Sequence, residues 1–215
     1  STATPGPITY LSPYVAADGN TPPPLIISTY WLWKFHGVSD DYNSWGPMIE
    51  TTTMLPGEGF TMKGVSGASA NTDNFNYTFV GKPYNGDFTI PITPGFDRLI
   101  GNPYPSALDG DEFIRDNLSA KHPSGNNIFN GALYFWHHFA KTNHQLAAYV
   151  GGYATYTLMG GTQAYSNDSR IDDSLIETFP GSGVWESSKG SRVPERYIPV
   201  NQAFFVLAVL DTVPD

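Results

Sequence analysis

Prolines and glycines interrupt this chain so often that it reads as short strands joined by turns: 18 prolines and 22 glycines make 40 of 215 residues. Proline lacks an N–H and fixes φ, so it ends or edges any strand it enters. Between the interruptions lie segments dense in β-branched and aromatic residues, such as "LIIS", "YWLWKF", "GALYFWHHF" and "AFFVLAVL". That combination predicts an all-β chain, folded as a β-sandwich with jelly-roll character, one short helix and a long polar insertion.

The most abrupt interruption is "RLIGNPYPSALDGDEFI", residues 98–114. Leu99 and Ile100 read as the end of a strand, with Gly101 expected at positive φ to make a sharp exit. Asn102-Pro103-Tyr104-Pro105 forbids further pairing. The carboxylates Asp109, Asp111 and Glu112 follow. Two readings compete for them. Asp109 and Glu112 have the spacing of a capping box, followed by an apolar stripe of Phe113, Ile114 and Leu118. Three carboxylates in four residues are also the raw material of a calcium site, although the EF-hand spacing is absent.

Residues 1–24 read as a linker or edge segment, ending in Pro22-Pro23-Pro24, and residues 25–215 as one domain. "MLPGEGFTMKG" is expected to be a turn and a short strand, and "NFNYTFVGKPYNGDFTIPI" two strands around a turn. Residues 160–196 read as the polar insertion. The chain also echoes itself. "FVGKPY" (79–84) matches "LIGNPY" (99–104), which reads as a worn duplication of about 25–95 and 96–210. The start at "STATPGP" reads as an end left by processing or as a boundary within a longer protein.

Composition excludes several functions. A net charge of −9 leaves no basic stripe for phosphates, so nucleic acid is not an expected partner. Acidic chains of this kind more often meet cations, neutral glycans or other proteins. Without cysteine there is no disulfide, thiolate zinc site or cysteine nucleophile. No run approaches the roughly 20 apolar residues of a membrane helix. Neither a Gly-x-Ser-x-Gly elbow nor a phosphate loop is present, which argues against an enzyme. A glycosidase would need two facing carboxylates, for which Glu58 and Glu112 are one conceivable pair.

Other candidates compete with plainer roles. Asp40 and Asp41, or Asp168, Asp172 and Asp173, offer loop carboxylates for calcium or are simply solvated. His137 and His138 alternate across a strand and so cannot share a zinc ion, while His144 supplies no third ligand. Trp31 and Trp33 share a parity and read as core. Trp45 and Trp185, in expected loops, are the better ligand contacts. Along "LYFWHHF", Leu133, Phe135, His137 and Phe139 should share one strand face, and Tyr134, Trp136 and His138 the other.

Taken together, "LIGNPYPSALDGDEFI", "LYFWHHF", "NHQLAAYVGGYATYTLMGG", "RYIPVNQAFFV" and "MLPGEGFTMKG" resemble a module of very large secreted surface proteins of Bacteroidetes, especially flavobacteria. In those proteins it often precedes the sorting domain of the type IX secretion system. The resemblance spans roughly residues 25–208. It implies a secreted or cell-surface, adhesin-like protein that acts through contacts with other surface proteins or neighbouring domains. The alternative is a lectin-like, carbohydrate-binding module, with calcium as a conceivable cofactor. It supplies no catalytic residues. Where the resembling pattern has Ile-Pro-Val-Gly-Gln-Gly-Phe-Phe-Val, this chain has Asn201 and Ala203 in place of the glycines, and asparagine tolerates positive φ. Ser174 in "DSL" and Thr212 in "DTV" match the short O-glycosylation acceptor pattern of the same organisms.

Overall fold

A computed structural model describes residues 6–17, 25–35, 37, 44–65, 77–138, 151–165, 190 and 192–209. Twelve strands and one short helix lie among these residues. β1 (Ile8–Leu11) comes from the expected edge segment and pairs in parallel with β2 (Leu25–Ser28). β3 (Trp33–Phe35), β4 (Trp45–Pro47) and β5 (Phe60–Thr61) form a small sheet with β3 in the middle. The main sheet contains β6 (Asp97–Gly101), β8 (Leu133–His138), β9 (Gly151–Thr157), β10 (Gly160–Tyr165) and β12 (Ala203–Leu207), in the order β10-β9-β8-β12-β6. β7 (Leu108–Asp109) pairs with β11 (Tyr197–Ile198) beside helix α1 (Gly110–Asp116).

Strand alternation gives the main sheet two different faces. On one, Ile100, Leu133, Tyr156, Phe204 and Val206 form the largest core with Ile114 of α1 and Phe129. Phe113 and Leu118 pack onto it, so the apolar stripe expected for the helix is the one observed, with Ile114 0% exposed. On the other, Leu99 and Phe205 meet Phe35 of the small sheet, with Trp45 and Tyr134 alongside. A third cluster, Ile27, Leu32 and Met48, fills the space under β1 and β2.

Several local expectations need correction. "YWLWKF" is not one strand: Thr29–Trp31 is a 3-10 turn closed by the Leu32 N–H on the Thr29 carbonyl at 3.1 Å. Trp31 and Trp33 therefore do not share a strand face. Each indole N–H instead donates to a nearby backbone carbonyl, Tyr14 at 2.9 Å and Tyr30 at 2.6 Å. Trp45 is not in a loop but in β4, opposite Phe35. Residues 77–93 form no ladder, and Pro83 and Pro91 withhold donors there. The described part of 160–196 begins with strand β10, paired to β9.

Gly101 is a further correction. It is not among the residues of positive φ. A side chain is excluded there because a Cβ would lie 2.7 Å from the Glu58 carbonyl oxygen. The turn at 57–59 closes onto the β6 edge through Gly101 N–H to Gly57 O at 2.9 Å and Gly59 N–H to Leu99 O at 3.3 Å. Close approach, not backbone freedom, requires the glycine.

The Asn-Pro-Tyr-Pro stretch is a structural joint held by one buried side chain. Asn102 is 8% exposed. Its amide N–H groups face the carbonyls of Ser106 (3.0 Å), Pro199 (3.2 Å) and Ile198 (3.3 Å), and its Oδ1 accepts the Tyr104 N–H at 3.0 Å. The joint is thus tied to residues almost a hundred positions away. Tyr84 and Tyr104, the last residues of the two echoed motifs, both meet the ring of Phe88, at 5.1 and 5.9 Å.

Candidate functional site

The acidic cluster after the joint is a helix start wired to basic side chains. Asp109 is the N-cap of α1, its Oδ1 accepting the Asp111 N–H at 3.0 Å. Its two oxygens also take a bidentate contact from Arg196, Nε at 2.9 Å and Nη2 at 2.6 Å. Asp111 accepts the Tyr156 hydroxyl at 2.7 Å. Glu112 does not complete a capping box; its carboxylate takes Arg115 at 2.9 Å and Lys121 at 3.0 Å.

The electrostatics follow these partners. Arg196 and the backbone N–H groups hold the Asp109 carboxyl below the usual range. Lys121 and then Arg115 do the same for Glu112. Burial, then the bond to Asp111, pushes the Tyr156 hydroxyl up to about 12. The expected calcium cluster is therefore not assembled here: each carboxylate faces a cation or a donor. Among the described residues no group of three His, Asp or Glu side chains is placed to hold a metal ion. His137 and His138 sit on opposite faces of β8. Asp40, Asp41, His144, Asp168, Asp172, Asp173, Ser174, Trp185 and Thr212 lie outside the described residues.

The concave site is elsewhere. Among the described residues the small sheet packs on the main sheet at its β6–β12 end, and that face borders a cleft of about 560 Å³. This lies within the ~300–1,000 Å³ of small-molecule sites. Its wall is a chain of rings in mutual edge contact. Phe35 meets Trp45 at 5.0 Å and Phe205 at 5.3 Å, Phe205 meets Tyr153 at 5.7 Å, and Tyr153 meets Trp136 at 5.1 Å. The chain runs from the core out to Trp136 and Tyr153, each 43% exposed. They are direct cross-strand partners on β8 and β9. The Trp136 indole lies over Gly151, where a Cβ would be 2.5 Å from Cζ2. Glycine is thus the seat of the ring.

Opposite the rings are Phe60, Thr61, Met62, Tyr77 and Phe79, and at one end the turn bearing Asn201 and Gln202. Asn201 has φ 62°, the left-handed conformation that asparagine adopts with least strain. Among the described residues of the lining, Glu58 is the only ionisable acid or base apart from tyrosine. Its carboxylate accepts Lys34 Nζ at 2.6 Å and the Leu55 N–H at 2.7 Å. Burial raises the Glu58 carboxyl, but Lys34, the Leu55 N–H and the charge of Arg98 outweigh it and hold it below the usual range. Glu112 does not line this cleft, so the conceivable glycosidase pair is not brought together.

Of the expected ligand tryptophans, Trp45 reaches the cleft, as a half-buried strand residue in edge contact with Phe35 and Phe205. The exposed rings are Trp136 and Tyr153. Their signal was present in the sequence: the alternation along β8 puts Tyr134 and Trp136 together on the face away from Leu133 and Phe135. Taking strand aromatics for core concealed it.

Among the described residues no helix is long and apolar enough to cross a membrane. A family model described as Domain of unknown function (DUF8693) matches residues 9–213. No curated protein and no solved structure matches the chain.

Proposed function

We propose that this chain, which belongs to the DUF8693 family, is a non-catalytic, glycan-binding module of a secreted bacterial surface protein. The observation that carries the reading is the ring chain ending in Trp136 and Tyr153 inside an open cleft. Aromatic side chains offer flat apolar surfaces beside polar edges, which suits the mixed apolar and hydroxyl surface of a sugar. The non-catalytic part is supported by Glu58. It is the one carboxylate among the described lining residues, and its bond to Lys34 favours the ionised form, which does not suit a general acid. Secretion and a surface location rest on the motif resemblance.

Adhesion through protein contacts is the second reading. Met159, 96% exposed at the β9–β10 turn, is the observation that favours it.

The test is retention of the purified chain on insoluble polysaccharides and on a soluble glycan panel. Binding abolished by Trp136→Ala and kept by Met159→Ala is the expected result. Absence of binding across the panel would leave the protein-contact reading in its place.

A further inference from the structure

Resting on that glycan-binding reading, we propose that the cleft selects an uncharged pyranose. The sugar's apolar face lies on the Trp136–Tyr153 pair and its hydroxyls are read by the Asn201 side-chain amide. Three observations converge on this. First, among the described residues the lining contains no lysine, arginine or histidine. A uronate or sialate would enter without a counter-ion, and a carboxylate taken from water unpaired is strongly disfavoured. Second, the carboxylate of Glu58, the only one among the described lining residues, takes both Lys34 and the Leu55 N–H on Oε2. Its negative charge disfavours an anionic sugar. Third, the polar groups that remain are neutral. Asn201 makes no side-chain hydrogen bond among the described residues, while Gln202 Nε2 is taken by the Ala203 carbonyl at 2.7 Å. The Asn201 amide sits on a turn of fixed left-handed geometry at the cleft end. It can donate and accept at once, as a sugar hydroxyl requires.

The experiment is titration calorimetry of the intact chain with neutral oligosaccharides and with uronic oligosaccharides of matched length, at about 50 and 500 mM salt. Wild type, Trp136→Ala and Asn201→Gly are compared. Glycine keeps the left-handed turn, so Asn201→Gly removes the amide without straining the backbone. The expected result is binding of a neutral sugar with little salt dependence. Trp136→Ala should weaken it roughly 10-fold or more, and Asn201→Gly about 3- to 10-fold. Tighter binding of the uronic series, falling with salt and lost in Trp136→Ala, would keep the glycan reading and overturn the neutral class. Affinity unchanged in Asn201→Gly would overturn the role of Asn201 alone. Silence from both series would overturn the glycan reading, and this inference with it.

Discussion

Gly151→Ala tests how the exposed ring is held without removing any ring atom. The new Cβ would lie 2.5 Å from Trp136 Cζ2, 2.9 Å from Cε2 and 2.5 Å from the His137 carbonyl oxygen, against an ordinary contact of 3.4–4 Å. The indole must therefore retreat by about 1 Å or tilt, and the strand pair must open slightly. Overpacking of this kind costs about 1–3 kcal/mol, or roughly 2–12 °C in melting temperature for a domain of this size. Two strains contribute, and a double-mutant cycle separates them. In a Trp136→Ala background the indole clash is gone and only the carbonyl contact remains. Gly151→Ala should then cost about 1 kcal/mol less than it does in the wild type. Chemical unfolding followed by circular dichroism measures all four proteins without relying on tryptophan emission. The single substitution should also weaken glycan binding, since the platform has moved. An identical cost in both backgrounds would mean that the indole is not seated on Gly151, and the account of the platform would fall.

Three further outcomes follow from the same contacts. Asn102→Ala leaves carbonyls of Ile198 and Pro199 without their buried donor and should cost about 2–4 kcal/mol; Asn102→Asp should be worse at neutral pH and recover on acidification, because its ionised form faces three carbonyls. Asp109 and Glu112 have folded pKa values depressed below 3.8 and 4.5, so their contribution is present above those values and lost as pH falls through the folded ones. Melting temperature should thus drop below about pH 5, and less steeply in Asp109→Asn, which keeps the cap oxygen and loses the charge. At φ 62°, Asn201→Ala should be about 1 kcal/mol less stable than Asn201→Gly by denaturant midpoint, reflecting the left-handed backbone.

What was legible in the sequence was what neighbours in the chain decide. The β8 alternation and the Asp109 cap depend on residues within a few positions, and both appear as read. The misreadings share a different cause. Gly101 looked like a hinge because a crowded glycine and a positive-φ glycine are the same letter; only the approach of the 57–59 turn tells them apart. Residues 77–93 have strand composition, but a strand exists by pairing, and these residues pair with none of the described strands. Trp45 looked like a loop residue because a three-residue strand leaves no periodic trace. Arg196 reaches Asp109 across 87 positions, and that distance hid the basic partner that the acid takes. The cleft was least legible of all, since it is the part of one sheet that another sheet fails to cover.

The joint and the cleft turn out to be mechanically connected. The same Asn102 that ends β6 donates its backbone N–H to the Gln202 carbonyl at 3.1 Å and its side chain to Ile198 and Pro199. The Gln202 N–H in turn closes on the Pro199 carbonyl at 3.2 Å. Residues 198–202 are therefore clamped at both ends, and Asn201 is presented to the cleft from inside that clamp. A joint that looked purely structural acts on the site as a positioning device. Loosening it should lower glycan affinity in proportion to the freedom given to Asn201.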